Sequence, residues 1–323
     1  MDPERFGVYI GSGIGGITTF LEEDRNLINR GPQRVSPFFI PKLIANMPAG
    51  VVSIRNNAKG PTLPVVTACA TSTNTIGEAF HAIAHGYADA IIAGGTDSTI
   101  NEISVAGFMN IKALSTSEDP MAASLPFDLR RGGFVMGEGS AVVILEEYEH
   151  AKARNARIYA EIIGYGNTAD AYHMTAPLPG GEGAINAIKI AIREAGICEG
   201  EELACDASKV YFNAHGTGTH MNDAMETKAI KAVFKDKASS LHISSTKSMT
   251  GHMLGATGAA EAIASILALG NGIVPATINY KEKDPECDLD YTPNDTVKAE
   301  LSYAISTSLG FGGHNGCIVM KRV

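Results

Sequence analysis

The sequence predicts an α/β protein made of two similar halves, residues 1–150 and 151–323, related by a pseudo-twofold axis. Three pairs of similar segments occur in the same order in both halves, which indicates an internal repeat. The pairs are V-Y-I-G-S-G-I-G-G (8–16) with V-Y-F-N-A-H-G-T-G-T (210–219), the turn at Cys69 with the turn at 247–255, and 132–145 with 309–320. Repeated strand–turn–helix units imply two packed, mostly parallel sheets that share helices between them. Such packing would bring matching turns to one site.

In the first half, apolar or β-branched runs bounded by glycine or proline predict strands, and apolar residues three or four apart predict helices. The clearest helix covers 71–85, where Ile76, Ala79 and Phe80 share one face and Gly86 follows the end. The predicted strands are 6–10, 65–67, 88–93 and a strand pair with a glycine turn at 134–147. The other predicted helices run from residue 17 to about 29, from 42 to 56 and from 146 to 155.

The second half repeats this alternation. Ile185, Ile188 and Ile192 share one face of a helix predicted at 183–195, and a strongly apolar helix is predicted at 256–269. A further helix is predicted at 222–234, and the predicted strands are 157–166, 209–213, 241–245, 273–278, 303–308 and 317–321.

Composition excludes several classes of protein. The 323 residues are 45% hydrophobic, and a formal net charge of −9 without basic runs argues against nucleic acid and acidic membrane surfaces. Five cysteines without a C-x-x-C pair suit a reducing compartment. The first ten residues contain no apolar signal segment, and no apolar run is long enough to span a membrane. We expect a cytoplasmic protein.

The turn G-S-G-I-G-G at 11–16 follows the first strand with the spacing of a dinucleotide-binding fingerprint. No acidic residue about 20 positions later is available to hold a ribose. A tight turn with close backbone approach is therefore the favoured interpretation.

Cys69 lies where the predicted strand 65–67 ends and the helix 71–85 begins. The free N–H groups and dipole of a helix N-terminus favour an anion, so a thiol there is expected to lose its proton more easily and act as a nucleophile. A small buried cysteine that merely packs is the alternative.

Three further residues lie on turns related to Cys69 by the repeat: His215 in N-A-H-G-T-G-T, and Lys247 and His252 in S-S-T-K-S-M-T-G-H. Taken singly, the histidines suit structural positions and the lysine a solvated surface. Together, on matching turns, they predict one catalytic site.

These segments resemble the β-ketoacyl-acyl carrier protein synthases of the thiolase superfamily, and most closely the elongating type. The resemblance covers residues 7–321. It is carried by T-A-C-A-T-S, D-A-Y-H-M-T-A-P, N-A-H-G-T-G-T, S-S-T-K-S-M-T-G-H-M-L-G and G-F-G-G-H-N-G. It implies a five-layered αβαβα fold, a homodimer, no intrinsic cofactor, and acyl carrier protein as the partner.

The resemblance also implies the reaction. Cys69 takes an acyl group from a carrier protein, and malonyl-carrier protein then loses CO2 and condenses with it. His215 and His252 stabilise the enolate by Nε2–H groups, and backbone N–H groups of Cys69 and Phe311 stabilise the tetrahedral oxyanion. Lys247 sets the electrostatics and orientation of the histidines, and Phe311 also resembles a gate that opens on acylation.

Substrate, carrier and cation contacts follow from the same resemblance. Thr217, Thr219 and Thr175 would contact the phosphopantetheine arm of the carrier protein. Ile14 and Phe108 would line the acyl pocket, with plain core packing as the alternative. Arg34 and Lys112 would form a basic rim for the acidic carrier protein. Asn213, Glu261 and Ser306 match positions around a structural monovalent cation, Na⁺ or K⁺, while an ion pair of Glu261 with Lys247 is the alternative for that carboxylate.

Other functions stay open at this stage. A thiolase would need a second catalytic cysteine on the last glycine-rich turn, but S-L-G-F-G-G has none and Cys317 lies further on. A polyketide-type ketosynthase would carry the same residues. An inactive chain-length partner subunit would lack the nucleophile, which is present here.

The repeat further predicts that the first half lacks a strand and a helix. Strand 157–166 and helix 183–195 precede the strand leading to His215, whereas only residues 1–5 precede the matching strand at 6–10. The family resemblance implies that the absent strand lies inside the sheet, so that its loss would expose two strand edges and an apolar face. On that basis residues 1–323 are expected to form a poorly soluble or inactive chain.

Overall fold

The computed structural model describes residues 1–200 and 202–323. The helices of this part of the chain are α1 (Ile17–Arg30), α2 (Phe39–Leu43), α3 (Met47–Asn56), α4 (Thr71–Ala84), α5 (Glu102–Asn110), α6 (Tyr148–Ala153), α7 (Glu182–Glu194), α8 (His220–Phe234), α9 (Lys247–Thr250) and α10 (Thr257–Asn271). The strands are β1 (Phe6–Gly11), β2 (Ala90–Asp97), β3 (Gly139–Glu146), β4 (Glu161–Ala169), β5 (Cys198–Glu199), β6 (Glu202–Leu203), β7 (Val210–Asn213), β8 (His242–Ser244), β9 (Ile273–Val274), β10 (Val297–Lys298), β11 (Tyr303–Gly310) and β12 (His314–Lys321). None of the described helices is long and apolar enough to cross a membrane.

Two main sheets carry the repeat. The first has the order β1-β2-β3, with β1 parallel to β2 and β3 antiparallel to it. The second has the order β4-β12-β11-β7-β8, with β7 parallel to β11 and β12 antiparallel to it. The strands β1, β2 and β3 therefore correspond to β7, β11 and β12, which confirms the predicted internal repeat.

The layers follow from where apolar side chains are buried. Helices α4 and α10 lie between the two sheets, since Ile76 of α4 and Leu269 of α10 share a buried cluster with Ile91 of β2 and Ile318 of β12. Helices α7 and α8 cover the outer face of the second sheet, and α3 covers that of the first. The order helix, sheet, helix, sheet, helix confirms the five-layered αβαβα fold.

Two predicted strands are wrong. Residues 65–67 form no strand. Residues 61–67 as a whole make a single parallel bridge to β1, between Thr62 and Val8. Pro61 and Pro64 interrupt it, and proline cannot donate a ladder hydrogen bond.

The predicted strand pair at 134–147 is a single strand, β3. The residues before it instead pair with other loops, Phe134 with Leu114 and Met136 with His252. A side chain at Gly139 would meet the sulfur of Met253 at 2.5 Å, so this stretch packs against the turn after His252 rather than folding back as a hairpin.

The position expected for the first strand is also wrong. Its counterpart in the second half, β4, lies at the edge of the sheet, antiparallel to β12. The equivalent outer edge of β3 pairs with no other strand of the described chain. It borders an apolar groove of about 810 Å³, beside which Val142 is 41% and Ile144 65% exposed. The first sheet therefore has one strand edge left open in this way, at β3, instead of the two that were expected. The sheet itself stays continuous from β1 to β3.

Candidate active site

Cys69 lies on a sharp turn immediately before α4. Ala68 has a left-handed backbone with φ 50°, and Ala68–Ala70 form one 3-10 turn that leads into the helix at Thr71. The side chain of Thr71 closes the turn by accepting a hydrogen bond from the backbone N–H of Thr67 at 2.9 Å. The thiol thus lies at the positive end of the helix, as predicted.

Two backbone N–H groups, those of Cys69 itself and of Phe311, favour negative charge on the sulfur of Cys69 and act to lower the pKa of its thiol. Gly310 allows the chain before Phe311 to approach this turn closely, because a Cβ there would lie 3.2 Å from the backbone nitrogens of Cys69 and Ala70.

The acidity expected for Cys69 is wrong. Enclosure in the protein raises the pKa of its thiol to about 12, because burial penalises the thiolate more than Lys247 and the two N–H groups favour it. The resting thiol is therefore protonated at neutral pH, and the N–H groups lower the energy of negative charge only as it develops.

His215 follows β7 and is held through its backbone. Its N–H and that of Gly216 donate to the two carboxylate oxygens of Glu226, at 2.7 and 2.8 Å. Its carbonyl accepts a hydrogen bond from the ammonium of Lys247 at 2.6 Å. Burial, and then the positive charge of Lys247, lower the pKa of His215 well below its usual value, so the ring is neutral at pH 7.

His252 follows α9, and its N–H donates to the carbonyl of Val135 at 2.7 Å. Its Nδ1 lies 3.1 Å from the hydroxyl of Thr257. The ring meets Phe134 edge-on with centroids 5.0 Å apart, and it meets His215 in the same way at 5.4 Å. Burial lowers the pKa of His252 well below its usual value, and Lys247 lowers it further.

Lys247 is 1% exposed and does not reach the cavity wall. Its ammonium lies between the carbonyl of His215 and the carboxylate of Glu261, each at 2.6 Å. The ion pair with Glu261 that the sequence left as an alternative is therefore present. From outside the cavity wall, Lys247 donates a hydrogen bond to the carbonyl of His215, and its positive charge helps to lower the pKa of both histidines.

A cavity of about 390 Å³ joins these groups. Its wall contains Cys69, His215, His252 and Phe311, together with the predicted substrate residues Phe108, Thr175, Thr217 and Thr219 and the predicted rim residue Lys112. The remaining predicted residues, Ile14, Arg34, Asn213, Glu261 and Ser306, do not line it. Arg34 is exposed on a separate turn.

The three predicted cation ligands share one property. Oδ1 of Asn213, Oε2 of Glu261 and Oγ of Ser306 are all buried without a hydrogen-bond partner among the described residues. Asn213 and Ser306 are opposite each other in the pairing of β7 with β11. Thr246 bridges the group, since it lies 3.5 Å from both Asn213 and Glu261.

Sequence reasoning missed several supporting residues. Glu226 anchors the His215 turn, Phe134 packs on His252, and Asp97 binds the turn after His252 through the N–H of Gly255. Of these residues, only Glu226 left a signal in the sequence, because it is an acidic residue among the apolar residues of a predicted helix. His252, which packs on Phe134, and Gly255, which donates to Asp97, lie in the other half of the chain.

Comparison with known proteins defines the class. The pattern of the "Beta-ketoacyl synthase, N-terminal domain" matches residues 1–151, and that of the "Beta-ketoacyl synthase, C-terminal domain" matches residues 159–281. The chain belongs to the β-ketoacyl synthase family.

Individual relatives make the class more specific. The chain is 52% identical over 319 residues, 99% of its length and 75% of the relative's, to 3-oxoacyl-[acyl-carrier-protein] synthase 2 of Staphylococcus aureus. It is 48% identical over 323 residues, 100% of its length and 76% of the relative's, to the protein of that name in Synechocystis sp..

Solved structures agree with this assignment. A ketosynthase of a type II polyketide system, in complex with its acyl-carrier protein and bound to the hexaketide, matches with a TM-score of 0.94 and 36% identity, over 100% of this chain and 79% of that one. A β-ketoacyl synthase from Burkholderia phymatum matches with a TM-score of 0.89 and 35% identity, over 99% and 76%.

Proposed function

We propose that this chain is a 3-oxoacyl-acyl carrier protein synthase of the elongating type. It joins an acyl group held on Cys69 to the carbanion formed from malonyl-acyl carrier protein, and releases 3-oxoacyl-acyl carrier protein, CO2 and free carrier protein. The observation that carries the proposal is the meeting of Cys69, His215 and His252 in one cavity, where the backbone N–H groups of Cys69 and Phe311 favour negative charge on the sulfur.

Acyl transfer comes first. The sulfur of Cys69 attacks the thioester carbonyl of the acyl-carrier protein, and the N–H groups of Cys69 and Phe311 stabilise the oxyanion. The carrier thiol leaves with a proton, and the acyl group stays on Cys69. Each such donor is typically worth about 3–4 kcal/mol of barrier.

Decarboxylation needs neutral donors, and both histidines supply them. When the hydroxyl of Thr257 donates to Nδ1 of His252, the single hydrogen of the neutral ring is on Nε2, which faces the cavity. Nδ1 of His215 has no partner among the described residues, so the substrate oxygen itself selects the Nε2–H form of that ring. The enolate carbon then attacks the acyl carbonyl on Cys69, the bond from that carbonyl carbon to sulfur breaks, and the thiolate that leaves takes a proton from water to restore the resting thiol.

We place the phosphopantetheine arm along Thr217 and Thr219, whose hydroxyls lie side by side at 3.0 Å, with Thr175 on the same wall. Phe108 and Phe311, with ring centroids 6.2 Å apart, close the acyl side of the cavity. Ile14 stays a proposed pocket residue, although it lies outside this wall. Lys112 at the cavity and Arg34 further out are the proposed contacts for the acidic carrier protein.

We propose a homodimer built on the first half. Supporting this, large apolar side chains of α1–α3 and of the segment beside β1 are between 46% and 79% exposed, namely Ile28, Phe38, Ile54, Leu63 and Val66. Sedimentation velocity on the wild-type chain and on a Leu63→Glu, Val66→Glu variant tests it; a monomer at all concentrations in both would contradict it.

We also propose the division into halves at residues 150 and 151. We propose a reducing, cytoplasmic location as well, which the five free cysteines support.

We propose Asn213, Glu261 and Ser306 as ligands of a structural Na⁺ or K⁺. Three buried oxygens without partners fit such an ion, and its charge would join Lys247 in neutralising Glu261. The melting temperature of the chain in NaCl or KCl should exceed its melting temperature in tetramethylammonium chloride, and Ser306→Ala should abolish this difference. Ser104→Ala, which removes an equally unpartnered hydroxyl elsewhere, should leave it unchanged. Equal melting in all salts would contradict the site.

A condensation assay tests the central reaction. Purified protein is incubated with acyl-carrier proteins of graded chain length and malonyl-carrier protein, and the products are measured by mass spectrometry. Extension by two carbons with CO2 release supports the proposal. Repeated extension to a polyketide is the second candidate, which the 36% identical hexaketide ketosynthase favours. Condensation with acetyl-coenzyme A instead would indicate a thiolase, although Cys69 is the only cysteine among the described residues of the cavity wall.

A further inference from the structure

Asp97, at the end of β2, is a buried carboxylate bound by neutral donors. It is 2% exposed and makes no ion pair with any residue that the structure describes. Its oxygens accept hydrogen bonds from the hydroxyl of Ser12 at 2.6 Å and from the backbone N–H groups of Gly13, Ile14 and Gly255 at 3.0, 3.3 and 2.7 Å. Buried carboxylates are rarely left without a cation unless several donors hold them.

The pseudo-twofold repeat relates the turn that binds Asp97 to the turn that carries Cys69. The 3-10 turn Leu254–Ala256 precedes α10 as Ala68–Ala70 precedes α4, and both turns begin with a left-handed residue, Leu254 at φ 48° and Ala68 at φ 50°. Gly255 is thus the counterpart of Cys69. The N–H that helps bind an oxyanion in one half binds the carboxylate of Asp97 in the other.

The N–H groups of the 11–16 turn are not free for another anion, because those of Gly13 and Ile14 already donate to Asp97. A Cβ on Gly13 would lie 2.9 Å from Oδ2 of Asp97, and one on Gly255 would lie 2.6 Å from it. The N–H groups that a nucleotide phosphate would need at the 11–16 turn are therefore already occupied, in agreement with the tight turn favoured from the sequence.

We propose that Asp97 is a positioning residue, an internal anion that fills the second anion-binding turn and so fixes the loop carrying His252 and the loop carrying Ile14 against each other. Gly255 lies three residues after His252, and Ile14 belongs to the opposite half. One carboxylate thus sets the distance between a catalytic loop and the acyl side of the site. The proposal rests on the decarboxylating role of His252 given above.

The charge of Asp97 also acts on the nucleophile. Lys247 and Asp97 are the charged groups that act on Cys69 in the described structure, in opposite directions: the lysine lowers and the aspartate raises the pKa of the thiol. His215 and His252, on the same cavity wall, are neutral. Removing the aspartate charge should therefore shift thiol reactivity toward lower pH, which loss of packing alone would not do.

Chemical rescue of Asp97→Ala tests this. The variant is assayed for malonyl-carrier protein decarboxylation, and Cys69 is alkylated with iodoacetamide across a pH series, both with sodium formate and with sodium chloride at equal ionic strength. We expect kcat to fall roughly 10²-fold with little change in KM, as for a misplaced catalytic loop. Formate should raise the kcat of the variant at least tenfold and return the pH profile of alkylation toward that of the parent. Asp89→Ala, which removes a half-exposed carboxylate at the other end of β2, should show neither effect.

A folded Asp97→Ala chain with kcat within twofold of the parent, or one on which formate acts in neither assay, would overturn the proposal. If Asp97→Ala does not fold, Asp97→Asn replaces it, and an alkylation profile that is not shifted to lower pH would overturn the proposal equally. Should the parent itself not decarboxylate malonyl-carrier protein, the proposed reaction fails, but the alkylation profiles still decide the role of Asp97.

Discussion

Replacing Lys247 with methionine tests how the two histidines are supported. The substitution keeps the length of the side chain and removes the ammonium that lies between the carbonyl of His215 and the carboxylate of Glu261. Lys247 and Glu261 are 1% and 2% exposed, so water cannot replace the lost partner. Breaking a buried ion pair by removing one member destabilises a protein by about 3–5 kcal/mol. That is a large part of an ordinary folding free energy of about 5–15 kcal/mol.

The loss depends on pH in a defined direction. Burial raises the pKa of Glu261 to about 7 even with Lys247 present, and Lys247 lowers that pKa. Without the lysine the pKa of the folded carboxyl rises further above its unfolded value. The folded variant then holds a proton that the unfolded chain has lost, so its stability falls with rising pH, by about 1.4 kcal/mol per pH unit, up to its own raised pKa. The stability of the parent levels off near pH 7, so the loss caused by the substitution grows above pH 7. At pH 6 the carboxyl is neutral in both proteins, and the loss shrinks toward that of one hydrogen bond, about 1–3 kcal/mol.

Urea unfolding of both proteins at pH 6 and pH 8, in tetramethylammonium buffer so that no Na⁺ or K⁺ neutralises Glu261, measures this difference. Lys231→Met is the matched control, because Lys231 pairs with Asp288 at the surface, where each side chain is about half exposed, and such pairs contribute about 0–1 kcal/mol. Destabilisation by Lys247→Met that is the same at both pH values, or no larger than that of the control, would refute the reasoning.

Three further predictions concern chemistry, docking and the open edge. His252→Ala should lose malonyl decarboxylation while Cys69 still self-acylates, as measured by carbon dioxide release and intact mass; decarboxylation near the parent rate would exclude the donor role. Charge reversal at Arg34 and Lys112 should raise KM for carrier-bound substrate and weaken its salt dependence while a free pantetheine thioester is used as before; equal damage to both substrates would indicate a core role instead. Ile144→Glu, on the exposed face of β3, should raise the solubility of the chain without lowering its melting temperature, in light scattering and calorimetry, because 65% of this side chain already faces water; a fall of several degrees would show that the face is covered.

The catalytic residues could be predicted from the sequence because each belongs to a short motif on a turn of the internal repeat. Cys69 and His252 lie on turns that the repeat places at equivalent positions, before α4 and α10, and His215 follows β7, the counterpart of β1. The repeat also predicts two packed sheets that share helices. The five layers and the role of each catalytic residue were implied by the resemblance of these motifs to a known family, not by the repeat itself.

The rest depended on distant contacts. The acidity of Cys69 was predicted in the wrong direction because a helix N-terminus is visible in the sequence, whereas the degree of enclosure is not. The segment 65–67 has β-branched residues but forms no ladder, since pairing requires a neighbour that the local pattern does not specify. The place of the first strand was wrong because it was taken from the sheet order that the resemblance implied, whereas the repeat fixes only which strands correspond; its counterpart β4 lies at the sheet edge. Asp97 was missed because its partners Gly13 and Gly255 come from opposite halves.

Locating the acyl group tests the account most directly. The chain is incubated with acyl-carrier protein alone, digested, and searched by mass spectrometry for the acyl mass on each peptide; malonyl-carrier protein is then added. We expect the adduct only on the peptide that contains Cys69, its disappearance on addition of malonyl-carrier protein with release of the 3-oxoacyl product, and no adduct in Cys69→Ala. A stable acyl adduct on another residue, or condensation by Cys69→Ala, would contradict the assignment of Cys69 as the nucleophile.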